Sequence, residues 1–186
     1  AIISEQTVDN VISYITKRET VKDVIVTLYG GEPLLSVDRI MYIGQQFKKT
    51  GLNITYHMIT NGYLLTLDTY KKLLTLPLKT IQITIDGPEE IHNKRRPHRT
   101  NPDSYAVIIK NLKEIKKYQD ENNVHTKLNI RVNIDRTNRK YFIKLRDDLY
   151  AIFGSSIYVY AAFVEGLRKD NKDIFKCVGC LGGKYD

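Results

Sequence analysis

The sequence predicts an α/β fold in which repeated strand–helix units build a parallel sheet. Three observations lead there. Short β-branched runs alternate with amphipathic helical stretches along the chain. Three successive strands end in small polar turns that contain glycine. No low-complexity segment or Ser/Pro linker interrupts the series, so nothing marks a second domain.

The elements follow in order. Ser4 suits the N-cap of a helix over about residues 5–18, with Val8, Val11, Ile12 and Ile15 on one face. A first strand at about 22–28 runs into Tyr29-Gly30-Gly31-Glu32-Pro33. Ser36 then starts a helix to about residue 49, with Ile40, Ile43 and Phe47 as its buried stripe and Gly51 suited to its end. A second strand, about 53–59, runs into Thr60-Asn61-Gly62. Thr66 caps a helix carrying Tyr70, Leu73 and Leu74, which stops before Pro77. The third strand, about 79–85, leads to Thr84-Ile85-Asp86-Gly87-Pro88. After a longer polar connection, Asp103 or Ser104 starts a helix of roughly 19 residues whose inward face is Val107, Ile108, Leu112 and Ile115. In the fourth strand, about 126–134, Leu128, Ile130, Val132 and Ile134 face one way. Asn138 caps a helix to about residue 153, Gly154 ends it, and a fifth strand covers about 156–163.

Five strands joined by helical crossovers fit either an open doubly wound sheet or part of a (β/α) barrel. In both, the carboxyl-terminal strand ends share one rim. Three glycine turns on that rim read as the wall of a small-molecule site, because glycine lets backbone groups approach a ligand closely. The chain opens on a helix, which points to a missing upstream strand.

Composition narrows the classes. The 186 residues, 42% hydrophobic, are enough for one core. No apolar run is long enough to span a membrane, and residues 1–20 read as an amphipathic helix bearing Glu5, Asp9, Lys17 and Arg18 rather than a signal peptide. Only Cys177 and Cys180 occur, so no disulfide framework is supported and a cytoplasmic location is expected. The net charge of +8 permits an anionic partner but decides nothing alone. The dense run Lys94-Arg95-Arg96-Pro97-His98-Arg99 reads as a solvated loop or as a lid over an acidic ligand. It has no interleaved aromatic, which disfavours nucleic acid.

The turns carry the candidate chemistry, each beside a plain structural reading. Glu32, after Gly30-Gly31, projects toward the rim, where a carboxylate and free carbonyls can hold an ammonium group; as an isolated motif it is a tight turn before a helix. Thr60-Asn61-Gly62 suits an Asx-type turn. Thr84 and Asp86 share one side by the strand period, and a hydroxyl with a carboxylate suits a ribose; alternatively Asp86 caps the turn that follows. Arg131 and Asn133 lie on the polar face of the fourth strand, toward solvent in an open sheet or into the interior of a barrel. G-x-G-x-x-G and Walker motifs are absent, which disfavours dinucleotide and ATP sites. His57, His92, His98 and His125 show no ligand spacing and read as surface or capping residues. Cys177-Val178-Gly179-Cys180 is a lone C-x-x-C, short of the four thiolates of a complete site.

Taken together, Gly-Gly-Glu-Pro-Leu-Leu, Ile-Thr-Asn-Gly and Ile-Thr-Ile-Asp-Gly-Pro-Glu-Glu-Ile-His-Asn, with Arg96-Pro97 and the following Asn-Leu-Lys helix, resemble the radical S-adenosylmethionine superfamily. The likeness is to the anaerobic sulfatase-maturase and peptide-maturase group with a cysteine-rich SPASM extension. It implies a partial (β/α) barrel of parallel strands, here lacking the first strand and the cluster loop. It also implies S-adenosylmethionine as cofactor, held by Gly30, Gly31, Glu32, Asn61, Thr84, Asp86 and Arg131. Glu32 with its glycines would take the ammonium group and Arg131 the carboxylate; Thr84 stands where serine is more frequent. The family's C-x-x-x-C-x-x-C, which binds a [4Fe–4S] cluster, is absent from this sequence. The expectation is therefore a fragment, inactive alone, of an enzyme that generates a 5′-deoxyadenosyl radical for hydrogen abstraction on a peptide or small molecule. Residues 1–165 would be the core, and 166–186 the start of an extension in which Cys177 and Cys180 bind an auxiliary cluster. Flavodoxin or ferredoxin would donate the electron, and an open sheet edge would favour a homodimer. The competing reading is a non-catalytic barrel module that kept its pocket.

Overall fold

The computed structural model describes residues 2–164 and the backbone of 168–169 and 172–173. All five expected strands form: β1 (Asp23–Leu28), β2 (Asn53–Thr60), β3 (Leu78–Thr84), β4 (Lys127–Ile134) and β5 (Ile157–Phe163). They are parallel and adjacent in chain order, β1-β2-β3-β4-β5. That order decides between the two architectures. A doubly wound sheet reverses its order part-way, whereas right-handed crossovers that always step to the next neighbour leave every connecting helix on one face. The sheet is a section of (β/α)-barrel wall.

The helices are α1 (Glu5–Thr16), α2 (Val37–Lys48), α3 (Leu67–Leu73), α4 (Glu89–Arg95), α5 (Ser104–Asn122) and α6 (Phe142–Phe153). Alternation along each strand sorts the residues by face. Toward the helices, Leu28, Tyr56, Met58, Ile81, Ile83, Ile130, Val132 and Val159 are buried, merging with Ile40, Tyr70, Leu112, Ile115 and Leu145 into one core. Val8 and Ile12 of α1 close against Phe47 of α2 in a smaller cluster. The opposite, concave face is polar: Thr27 lies beside His57, and Thr84, Arg131 and Tyr160 form a row across β3, β4 and β5.

Ser4, Thr66 and Asp103 cap as expected, accepting from the amides of Thr7, Thr69 and Ala106. Gly154, at φ 61°, ends α6. Three local expectations are corrected. Ser36 makes no side-chain cap; Glu32 instead caps a 3-10 turn, Pro33–Ser36, that feeds α2. Asn138 does not cap α6, because its amide is engaged elsewhere, and the helix begins at Phe142 after a 3-10 turn. The polar connection after β3 contains α4, whose sequence EEIHNKR has one aliphatic residue and so no stripe to betray it. Its first turn carries Glu89 and Glu90, which the helix dipole favours.

Candidate functional site

At the β1–β2 rim, an added Cβ at Gly30 or Gly31 would meet nothing within 4 Å, so this backbone is open to a ligand. Glu32, half-buried, ties the first turn to the second. Its Oε1 accepts from the Leu34 amide at 3.0 Å and from Thr60 Oγ1 at 2.7 Å; its Oε2 accepts from the Asn61 amide at 2.8 Å. A carboxylate offers about four acceptor positions, so one remains for a further donor. Asn61 Oδ1 takes the Tyr63 amide at 2.9 Å, the Asx turn read from the sequence. Gly62 sits at φ 80°, and a Cβ there would lie 2.7 Å from Ile83 Cγ2. Asn111 of α5 donates to the carbonyls of Gly62 and Tyr63, both at 3.1 Å, and locks the turn from outside.

The β3–β4 rim is built around Asp86, 4% exposed. Its Oδ2 accepts from Arg96 Nε at 2.7 Å and its Oδ1 from the Asn133 amide at 2.9 Å. Asn138, also buried, donates to the carbonyls of Asp86 (2.8 Å) and Asn133 (2.9 Å) and accepts from the Asp135 amide (2.8 Å). Arg95 pairs with Asp135 at 2.7 Å. Burial works to raise the Asp135 pKa, but hydrogen bonds from Arg95 and Thr137 outweigh it and hold the carboxyl below its ordinary value. Of the basic run, Arg95 and Arg96 are thus pinned by ion pairs, while Lys94 and Arg99 are exposed.

His92 departs from the expectation of a surface or capping residue. It is 1% exposed, and its Nδ1 accepts from the Asp86 amide at 3.2 Å. Burial lowers its pKa to about 4, the Arg96 charge adding to the effect and Asp86 opposing it.

On the concave face Thr84 is buried, and Arg131 donates through Nε to Asn133 Oδ1 at 2.9 Å. Tyr160 donates its hydroxyl to Gln82 Oε1. Gln82 Nε2 is buried without an acceptor among the described residues. Sequence reasoning did not single out Gln82 or the burial of His92, read Asn138 only as a helix cap, and met Asn111 only within the Asn-Leu-Lys motif. The charges divide cleanly. Asp86 and Asp135 are matched by Arg96 and Arg95, whereas among the described residues neither Glu32 nor Arg131 has an ionic partner. Cys177 and Cys180 lie outside the described residues. Among the described residues, no group of three or more His, Cys, Asp or Glu is placed to hold a metal ion, and no helix is long and apolar enough to cross a membrane.

Comparison with known proteins adds lineage to this geometry. The family model for the radical SAM superfamily matches residues 3–149. The cysteine-type anaerobic sulfatase-maturating enzyme of Clostridium novyi is 28% identical over 127 residues, covering 64% of this chain and 34% of its own length. The Clostridium perfringens enzyme of that type is 29% identical over 99 residues, covering 51% and 26%. The serine-type enzyme of Bacteroides thetaiotaomicron is 25% identical over 132 residues, covering 69% and 31%. Among solved structures, native anSMEcpe with bound AdoMet and Cp18Cys peptide superposes with a TM-score of 0.69 at 20% identity, over 93% of this chain and 47% of that one. It shares the fold. The chain spans about a third or less of the curated relatives it matches.

Proposed function

The chain belongs to the radical S-adenosylmethionine superfamily, and from that premise we propose that its rim of strand ends binds the amino-acid moiety of S-adenosylmethionine within a longer maturase-type enzyme. One observation carries the reading. Glu32 and Arg131 are uncompensated charges of opposite sign on one rim, matching the ammonium and carboxylate of a zwitterion.

The residues present fit this cofactor. Glu32 has acceptor capacity left, and an added Cβ at Gly30 or Gly31 would meet nothing within 4 Å, so an ammonium group can approach this backbone. Arg131 uses Nε on Asn133, leaving its two terminal amino groups for a carboxylate. Thr84 offers a hydroxyl on the same row, and Asn61 lines the neighbouring turn. Asp86 has both oxygens engaged, so its part is to hold Asn133 and the end of β3 in position rather than to grip a ribose alone.

A cluster does not fit the described residues, which contain no thiolate set. A [4Fe–4S] cluster, as this family uses, would supply the electron for cleaving the cofactor's carbon–sulfur bond. The relatives' names, and the peptide bound in the similar structure, support a peptide substrate. The same proposal includes electron delivery by flavodoxin or ferredoxin and an auxiliary cluster at Cys177 and Cys180. It extends to division of the chain near residue 165, dimer pairing through the β1 edge, inactivity of these 186 residues alone and a cytoplasmic setting.

The test is calorimetric titration of S-adenosylmethionine into the longer, anaerobically purified protein, with 5′-deoxyadenosine measured after reduction. Binding with product formation is expected. Binding without product, in a protein holding iron and sulfide, would favour a non-catalytic module; no binding would overturn the rim assignment.

A further inference from the structure

A cavity lies between the β2 turn and the segment joining α4 to α5. Its volume is about 380 Å³, and Asn61, Tyr63, His92, Arg95, Arg96 and His98 are among its lining residues. Its wall is rich in donors. The imidazole of His92 accepts the Asp86 amide at Nδ1, so the ring proton is on Nε2. Among the described residues, that Nε2 is buried with no acceptor, and so is Nε of Arg95. Arg96 engages Asp86 through Nε, which leaves its terminal amino pair. Asn61 uses its carbonyl oxygen on Tyr63, which leaves its NH₂. The ring of His98 stacks on Tyr63 with centroids 3.9 Å apart and forms an aromatic side to the opening.

Buried donors without acceptors are costly and uncommon, so a ligand that brings oxygen atoms is the natural complement. Charge selects among such ligands. Arg95 and Arg96 are each neutralised by an aspartate, which leaves little net positive charge to hold a dianion. A planar, singly charged acceptor with two oxygens suits a guanidinium edge beside a neutral N–H. We propose that this cavity is a binding site for a small organic carboxylate. The cavity is far larger than the roughly 30 Å³ of one water molecule, so it has room for a carbon skeleton behind the carboxyl group. The depressed pKa of His92 keeps its N–H a neutral donor at neutral pH.

The cavity shares Asn61 with the proposed cofactor rim, and its test needs no cofactor. In the ¹⁵N-labelled chain at pH 7 and fixed ionic strength, the His92 Nε2–H resonance is followed while sodium propionate, sodium phosphate or sodium chloride is added. A saturable shift with propionate is expected, with phosphate at least about tenfold weaker and chloride without effect. His92→Phe should abolish propionate binding, read from the amides of Asn61 and Arg96. His98→Glu alters only a partly exposed ring at the opening and should weaken propionate at least about tenfold by charge repulsion while the His92 signal stays in place. The proposal is overturned by an absent or non-saturating shift, which means a water-filled cavity only, by equal response to chloride, or by His98→Glu binding propionate as tightly as the wild type.

Discussion

Glu32 and Asp86 occupy equivalent places, each just past a strand end, and each accepts hydrogen bonds from neighbouring elements, yet their chemistry differs. Among the described residues Glu32 is held by neutral donors only, two amides and a hydroxyl, so its negative charge is left for something beyond them. Asp86 faces a guanidinium and an amide in a buried setting, so its charge is consumed by the structure. The difference separates a carboxylate that recognises from one that organises. The same division holds between the arginines: among the described residues the Arg131 guanidinium bonds only a neutral amide oxygen, whereas Arg96, at the end of α4, is paired with Asp86.

The sharpest way to break this contrast is to remove the organising carboxylate. Asp86→Ala strands Arg96 and the Asn133 amide, and should lower unfolding free energy by about 3 kcal/mol in urea titrations, tempered by the partial exposure of Arg96. A loss under about 1 kcal/mol would place Asp86 with Glu32 instead.

Next comes pH, through His92 beside Asp86. Its folded pKa of about 4 lies below the unfolded value near 6.5, so the folded state disfavours the protonated form. The stability this provides is complete above pH 6.5 and is lost as pH falls toward 4, by up to about 3 kcal/mol at roughly 1.4 kcal/mol per pH unit. His92→Gln should flatten that slope; an unchanged acid limb would show that His92 titrates normally.

The recognising pair should behave in the opposite manner. Glu32→Gln and Arg131→Leu in the longer protein should each weaken S-adenosylmethionine binding about 10- to 150-fold, equivalent to roughly 1.5–3 kcal/mol. Arg131→Leu should leave thermal stability nearly unchanged. Wild-type affinity in both variants would refute the zwitterion assignment. A smaller effect belongs to the turn between them. Gly62→Ala, strained at φ 80° and 2.7 Å from Ile83, should cost about 1–2 kcal/mol by denaturation. Lys94→Ala, exposed on α4, should change neither binding nor stability by more than about 0.5 kcal/mol.

The strands were legible because alternation is a local signal, written within each of them: β4 buries every second residue. The caps at Ser4, Thr66 and Asp103 were legible for the same reason, since donor and acceptor lie three residues apart. The glycine turns marked the rim through their composition. What stayed hidden was long-range and polar. Asn138 reaches Asp86 across 52 residues and Asn111 reaches Gly62 across 49, and no window of sequence contains both partners. Asn138 therefore read as a cap and His92 as a surface residue, because polar side chains usually are one or the other. Which carboxylate would be neutralised was likewise invisible, since Arg96 and Asp86 meet only through the turn geometry of α4.

The chain-order sheet also grades the molecule from its centre outward. Ile81 and Ile83 of β3 are fully buried between paired neighbours, whereas β1 pairs among the described residues with β2 alone and exposes 68% of Ile25. Amide exchange should therefore be slowest in β3 and fastest in β1. Glu32 follows β1, an edge strand among the described residues, while Asp86 and Arg131 belong to the interior strands β3 and β4 and the turn after β3. Fraying of β1 would withdraw one half of the zwitterion cradle and leave the other half intact. A ligand spanning both halves then acts as a brace, and its occupancy should be readable as slowed exchange in a strand whose side chains it scarcely touches.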